Sequence, residues 1–160
     1  MPPRAGATKR ASRSTSRRPS RSRVITIRGS DDDLGIAVLA GPGNLVTTND
    51  VSGVGGSGIA VNTSGNRVVG NVSSGNGCGI CSSGSANQNV FERNHTTGNT
   101  SYGISVEGDF NLLDGNVSEG RGNSGIALSG TGNDYRNNML RGNTNGAVAA
   151  AGTDAGGNIL

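Results

Sequence analysis

A unit of about 22 residues repeats five times along this chain of 160 residues. Each unit contains an Asn, a second Asn five residues later, and a Gly four residues after that. The first Asn column is Asn44, Asn66, Asn89, Asn111 and Asn133, and the second is Asn49, Asn71, Asn94, Asn116 and Asn138. Both columns advance in steps of 22, 23, 22 and 22 residues. Self-similarity at a fixed period of this length is typical of solenoids, in which each repeat adds one turn.

Apolar residues keep the same period as the Asn columns. A Gly-Ile pair opens each unit at Gly35-Ile36, Gly58-Ile59, Gly79-Ile80, Gly103-Ile104 and Gly125-Ile126. Two residues after each Ile stand Val38, Val61, Ser82, Val106 and Leu128, so that Ser82 is the polar exception. A third column follows the first Asn at Val46, Val68, Phe91, Leu113 and Tyr135. Apolar residues that alternate with polar ones predict two or three strands of about four residues per unit.

These strands predict an all-β fold in which successive units stack as turns of a parallel β-helix. Neighbouring strands would then lie roughly 4.8 Å apart, so every column becomes a ladder along the axis. Asn suits the bends because it tolerates the left-handed backbone region, and stacked amides can hydrogen-bond from turn to turn. The alternative, a disordered Gly-rich chain, is favoured by composition alone, with 29 Gly and 31% hydrophobic residues. Aliphatic residues held in register over five units favour the solenoid.

With these columns the chain resembles the right-handed parallel β-helix repeat proteins, which include pectate-lyase-like enzymes and carbohydrate-binding or sugar-hydrolysing modules. The resemblance covers roughly residues 34 to 145, in units that run from Ser57-Gly58-Ile59 to Gly75-Asn76. It implies a right-handed β-helix of about five to six coils. It also suggests a secreted or cell-surface protein.

The chain divides into a basic tail, residues 1–23, and a β-helix domain, residues 24–160, whose first strand is predicted at Val24-Ile25-Thr26-Ile27. Residues 1–28 hold nine basic side chains and no acid, whereas residues 29–160 hold five Arg against eleven acids. A tail rich in Ser, Arg and Pro has little to bury, so we expect it to be disordered.

The tail has three interpretations: an extension without function, an arm that binds nucleic acid or another polyanion, and a targeting segment. The chain as given has no apolar stretch long enough for a secretory signal or a membrane span. At the other end, the last unit decays into Ala149-Ala150-Ala151 without a polar cap. An uncapped solenoid exposes strand edges, so this end predicts a fragment or end-to-end association with a partner.

Candidate catalytic residues come from one outward column, three residues after the first Asn. Glu92 and Asp114 would lie on adjacent coils, with Arg136 on the next. Two neighbouring carboxylates could divide into a protonated acid and an ionised base, as glycoside chemistry requires. The alternative is a surface charge ladder of little energetic weight. The lyases and hydrolases of the family use Arg or Lys bases with Asp-bound calcium, or Asp clusters with His, and no such residue can be carried over to this chain.

Cys78, Cys81 and His95 are the candidates for a metal site. Residues three apart in an extended strand lie near 10 Å, beyond disulfide reach unless Gly79 bends the chain. Two thiols and one imidazole make an incomplete site. One branch of the β-helix family is described as copper-binding, and in this sequence only these three residues bear on that idea. We expect no metal and no cofactor.

Two hypotheses for function follow. The first is a non-catalytic structural or carbohydrate-interacting module that contacts polysaccharide through its polar faces. The second is a carbohydrate-active enzyme, such as a polysaccharide lyase, epimerase or glycoside hydrolase, or a fragment of one. Aromatic side chains that stack on sugars would serve either, and we expect Phe91 and Tyr135 to be in the core, which leaves Tyr102 and Phe110.

Overall fold

The structure is a computed structural model that describes residues 13–14, 26–30, 33–120, 124–145 and 148–160. Over these residues the chain forms strands and turns, without a helix. The predicted disordered tail, residues 1–23, lies outside the described residues except for Arg13–Ser14, which form a two-residue strand. Val24 and Ile25 of the predicted first strand also lie outside, and the strand described there is Thr26–Ser30.

Each turn of the chain contributes one strand to each of three faces. Face 1 contains β1 (Arg13–Ser14), β3 (Leu34–Val38), β6 (Ser57–Val61), β9 (Cys78–Ser82) and β12 (Tyr102–Val106). Face 2 contains β4 (Leu45–Thr47), β7 (Arg67–Val69), β10 (Val90–Glu92) and β13 (Leu112–Asp114). Face 3 contains β2 (Thr26–Ser30), β5 (Asp50–Val54), β8 (Val72–Ser74), β11 (His95–Thr97), β14 (Val117–Glu119) and β16 (Met139–Arg141). The long strands β15 (Ser124–Arg136) and β17 (Val148–Asp154) run through both face 1 and face 2.

Every strand pairs in parallel with the strand one turn away. Ile59 pairs with Ile80 on face 1, Val68 with Phe91 on face 2, and Ser73 with Thr96 on face 3. Because β15 joins two faces, faces 1 and 2 count as one sheet of 11 strands, while face 3 is a separate sheet of six. The predicted parallel β-helix with a turn of about 22 residues is therefore confirmed.

The predicted aliphatic columns form the core. Buried side chains of the Ile column and of the column after the first Asn belong to one cluster that runs along the axis. The third inward column, on face 3, was not predicted, and three of its members carry hydroxyl groups: Ser73, Thr96 and Ser118. Ser73 satisfies its hydroxyl by donating to the carbonyl of Gly79 at 2.7 Å. The core is thus mainly apolar on two faces, with Phe91 and Tyr135 on face 2, and partly hydrogen-bonded on the third.

Ser82 is the exception in the aliphatic column of face 1. Its side chain is buried between Val61 and Val106, which are its paired residues on the neighbouring turns. Its hydroxyl oxygen has no hydrogen-bond partner. A buried hydroxyl without a partner lowers stability because it has lost its water and gained nothing in return.

Ser82→Val should therefore stabilise the protein by about 1–2 kcal/mol, because it removes the unpaired hydroxyl and adds buried methyl surface. The measurement is the midpoint of urea unfolding followed by circular dichroism. Ser74→Val, a change at a partly exposed outward position, is the control and should shift stability by no more than about 0.5 kcal/mol. An equal effect of the two substitutions would refute the explanation.

The two Asn columns form ladders of buried amides, in which Nδ2 of Asn89 is left without a hydrogen-bond partner. Asn71 donates its backbone N–H and its side-chain Nδ2 to Oδ1 of Asn94, each at 3.0 Å. Asn94 in turn donates Nδ2 to the carbonyl of Val68 at 2.9 Å and to Oδ1 of Asn116 at 3.0 Å. Asn158 extends this column by one more turn, since its Oδ1 accepts the N–H of Asn138 at 2.9 Å. These hydrogen bonds pair the polar groups at each corner, which are buried away from solvent.

Of the two reasons predicted for Asn at the bends, amide hydrogen bonding from turn to turn is confirmed, and the left-handed backbone of the ladder Asn is wrong. The left-handed residue is the one before each ladder Asn, as in Thr48 and Arg93, with φ of 55° and 52°, and not the Asn itself. Elsewhere in that column Gly70 and Gly115 take the same conformation without steric cost. The chain therefore turns one residue early, and Asn occupies the corner for the hydrogen bonds of its amide.

A third amide column follows the Gly that ends each unit, and the sequence analysis missed it. Asn76 donates its N–H to Oδ1 of Asn99 at 2.9 Å, and Oδ1 of Asn76 accepts the N–H of Val54 at 2.8 Å. Both amides are buried. The signal was present in the sequence as Asn directly after Gly75, Gly98 and Gly142, but Val54 begins the column and Arg121 interrupts it.

Asn94→Ala should lower the free energy of unfolding by about 3–5 kcal/mol, because it orphans two donors of Asn71 and the carbonyl of Val68 in the interior. Chemical denaturation measures this loss. Asn62→Ala removes an exposed amide on the next turn and should cost less than about 0.5 kcal/mol. Similar losses for both variants would show that the ladder does not carry the stability ascribed to it.

Candidate functional site

The outward column of face 2 brings the candidate acidic residues together. Glu92 of β10 is the paired residue of Asp114 of β13, and Asp114 is paired in turn with Arg136 of β15. The side chains of Glu92 and Asp114 are 20% and 26% exposed, so solvent reaches both. The three residues therefore occupy three successive turns of one face, at its surface.

Each carboxylate, however, is already engaged by its own cations. Glu92 lies between Arg67, whose guanidinium is 3.0 Å from Oε2, and Arg93, 3.3 Å from Oε1. Asp114 accepts hydrogen bonds from Arg136 Nε and from Asn137 Nδ2, each at 2.9 Å. The arrangement is a pair of carboxylates on adjacent turns, each held in ion pairs by arginines around it.

The hydrogen bonds around Asp114 oppose its use as a proton donor. The hydrogen bond from the amide of Asn137 is the largest effect on the pKa of this carboxyl and lowers it; burial opposes it, and Arg136 and Arg93 lower the pKa further. A general acid in glycoside cleavage needs a raised pKa, so that the proton is still present near neutral pH. The surroundings of Asp114 favour an ionised carboxylate that holds neighbouring turns together.

The stability conferred by Asp114 should depend on pH. Because its pKa is depressed in the folded state, the contribution is present above the ordinary carboxyl value of about 3.9 and is lost as pH falls through the depressed pKa. Asp114→Asn should lower the thermal midpoint at pH 7, and the difference from the parent protein should close towards pH 2. Glu107→Gln, at an exposed position of the same turn, is the control and should give a small, flat difference. A gap for Asp114→Asn that stays constant from pH 7 to pH 2 would contradict the assignment.

Cys78 and Cys81 form a disulfide, so the distance expected for a straight strand does not apply, and the exception that the sequence left open, a bend at Gly79, does. Their Cα atoms are 6.3 Å apart, and not the 10 Å of a straight strand. The pairing of β9 with both neighbours passes from Cys78 to Ile80 and omits Gly79, which lies at a bend. A Cβ on Gly79 would come within 2.5 Å of the carbonyl oxygen of Gly103, so only Gly fits there. The bend that brings the two sulfur atoms together depends on this close approach.

His95 does not join the two cysteines. It opens strand β11 on face 3, where its Nε2 lies 3.7 Å from Oε2 of Glu119, whereas Cys81 faces outward from face 1. Within the described parts of the chain, no group of three His, Cys, Asp or Glu side chains comes close enough to hold a metal ion.

The turns between face 1 and face 2 form a second candidate site, which we call the turn ridge: residues 62–65, 83–88, 107–110 and 129–132. A row of side chains ties these turns together. Asn87 N–H donates to Ser64 Oγ at 3.0 Å, and Asp109 N–H donates to Asn87 Oδ1 at 2.8 Å. Thr131 completes the row by donating its N–H to Asp109 Oδ1 at 2.8 Å. The ridge is therefore held in register independently of the core.

Phe110 projects from this ridge and is 64% exposed. It stands in the column before the first Asn, where Gly43, Gly65 and Gly132 occupy other turns, and it shares their left-handed backbone with φ of 55°. Its ring lies over Gly132, where a Cβ would come within 2.5 Å of the ring atom Cδ1. Gln88 is exposed on the adjacent turn. An aromatic residue among glycines was the sequence signal for this site, but only the fold shows that the ring faces solvent.

Comparison with protein families identifies the chain. The family model described as "Periplasmic copper-binding protein (NosD)" matches residues 8–158. The chain therefore belongs to the NosD family, and it is a β-helix module of that family. Neither the curated proteins nor the solved structures include a significant match. Within the described residues, no helix is long and apolar enough to cross a membrane.

Cys78, Cys81 and His95 do not form a copper site as they are arranged. Copper is held in proteins by thiolate, thioether and imidazole ligands. The sulfur atoms of Cys78 and Cys81 are bonded to each other, and His95 faces Glu119 on another face. The thiolates that the sequence offers are therefore not available in the disulfide form.

Proposed function

We propose that this chain is a non-catalytic β-helical module that binds neutral polysaccharide along the turn ridge, with Phe110 as the stacking platform. The observation that carries the proposal is the exposed ring of Phe110 on a hydrogen-bonded ridge beside the exposed amide of Gln88. One face of a sugar ring presents C–H groups that pack on an aromatic ring, and its hydroxyls bond to planar polar side chains.

The rigidity of the ridge favours binding. Phe110 N–H donates to the carbonyl of Thr131 at 2.9 Å, and Gln88 N–H donates to the carbonyl of Asp109 at 3.0 Å. A ligand therefore meets side chains whose backbone is already ordered, and little conformational entropy is lost on binding. The spacing of turns, about 4.8 Å, is close to the length of one sugar unit, so an extended polymer can contact several turns.

The charge of the ridge favours a neutral ligand over an acidic one. Glu107 and Asp109, two acidic residues, precede Phe110 on the same turn. These acidic side chains would repel a polyanion. The arginines of face 2 would not offset this repulsion, because they are already paired with the carboxylates of that face. The enzyme hypothesis is less well supported, since Glu92 and Asp114 are both engaged in ion pairs.

We place the protein in an oxidising compartment outside the cytoplasm. The disulfide between Cys78 and Cys81 supports this placement, because disulfides persist in such compartments and are rare in the reducing cytosol. The name of the matching family, which describes periplasmic proteins, agrees with it.

The test is binding of the full chain to soluble glucan, mannan and polygalacturonate, measured by affinity electrophoresis and calorimetry. Phe110→Gly should weaken binding to the neutral polymer at least about tenfold, which is the loss expected for one stacking contact of about 1.4 kcal/mol. The substitution suits the fold because Gly already stands at this column on three other turns.

Val72→Ala is the matched control, since Val72 is an exposed apolar side chain on face 3, away from the ridge. Its affinity should equal that of the parent protein. Binding that is unaffected by Phe110→Gly would move the site off the ridge, and no binding to any polymer would refute carbohydrate recognition. Polymer cleavage that is lost in Glu92→Gln would instead support the enzyme hypothesis.

A further inference from the structure

We propose that Cys78 and Cys81 form an exchangeable dithiol/disulfide couple, which a dithiol partner reduces by attack at Cys81 while the β-helix stays folded. The disulfide lies on the outside of face 1, apart from the turn ridge and from the ion pairs of face 2. Its role is separate from polysaccharide binding.

The backbone holds both cysteines in place without help from the sulfur bond. Cys78 is paired with Ser57 and Tyr102 on the adjacent turns, and its N–H donates to the carbonyl of Gly56 at 3.0 Å. Cys81 is paired with Ala60 and Ser105. The adjacent turns take the same path with no link between the corresponding residues, so the fold does not require the disulfide.

The disulfide also closes a very short loop. Its cysteines are three residues apart in sequence. The stabilisation that a cross-link provides by restricting the unfolded chain grows with the length of the closed loop, and it is near its minimum here. A bond of this kind contributes little as a staple, and its reduction should leave the neighbouring hydrogen bonds of β9 intact.

The two sulfur atoms differ in access. Cys78 is 8% exposed, whereas Cys81 is partly exposed on the outward side of the strand. The outward neighbours of Cys81 are the small side chains of Ala60 and Ser105, which do not overhang it. An incoming thiolate therefore reaches the sulfur of Cys81 first.

The exchange balances with a dithiol as the reductant. One thiolate of the dithiol attacks Cys81 Sγ, the disulfide breaks, and its electron pair leaves on Cys78 Sγ, which then takes a proton from water. The second thiolate of the dithiol attacks the reagent's own sulfur in the mixed disulfide and expels the Cys81 thiolate, which is protonated in turn. Two electrons and two protons pass to the protein, and the dithiol leaves as a disulfide.

The first test equilibrates the full chain in mixtures of reduced and oxidised glutathione, and with dithiothreitol as the dithiol probe. Alkylation followed by intact mass should show a reversible change between zero and two free thiols while circular dichroism stays constant. The thermal midpoint should fall by less than about 10 °C on reduction. A pair that stays oxidised throughout, or that is reduced only when the sheet signal is lost, would overturn the proposal.

Single variants test the order of attack. Cys78→Ser leaves the partly exposed thiol and should form a mixed disulfide with oxidised glutathione at least about tenfold faster than Cys81→Ser. Equal rates, or the reverse order, would overturn attack at Cys81. The double variant Cys78→Ser with Cys81→Ala copies Ser57 and Ala60 of the preceding turn, and it should fold with a thermal midpoint close to that of the reduced protein.

Discussion

The hydrogen bond from the backbone N–H of one ladder Asn to the side-chain oxygen of the next is the interaction on which the rest of this β-helix depends. At each corner the chain changes direction, so the backbone N–H of the corner residue cannot pair within a sheet. The Oδ1 of the Asn one turn further on accepts that N–H, as Asn94 does for Asn71. The N–H at each corner therefore finds its acceptor on the next turn, and a single turn cannot pair its own buried polar groups. The repeat must continue in register for these groups to be paired.

The thin core follows from this arrangement. Each turn contributes only a few aliphatic side chains, and face 3 adds hydroxyl groups such as those of Ser73 and Thr96. Apolar burial per turn is small, so hydrogen bonding at the corners supplies much of the specificity that a larger core would give. The unpaired hydroxyl of Ser82 shows that one turn can place a polar residue in an apolar column when the turns on both sides have Val at that position.

The outer surface carries three kinds of side-chain group, each on a different part of the β-helix. Face 2 holds charges in ion pairs, as in Arg136 with Asp114, which neutralise one another. The turn ridge presents Phe110 and amide groups on an ordered backbone. Face 1 bears the disulfide of Cys78 and Cys81 among small side chains. The ridge that we propose for recognition and the disulfide are thus on different parts of the same scaffold.

The sequence by itself determined the parallel β-helix, its period and its aliphatic columns, because these depend on spacing, which the chain displays directly. It also placed Glu92, Asp114 and Arg136 on successive turns, since register follows from the repeat. Only the tertiary structure decided what depends on direction within one turn: that the residue before each Asn makes the bend, that Gly79 brings Cys78 to Cys81, and that Phe110 faces solvent. The period of the repeat gives the distance between equivalent residues on neighbouring turns. Contacts inside one turn depend on local backbone angles and on the close approach of neighbouring strands, and the spacing of residues in the sequence does not determine either.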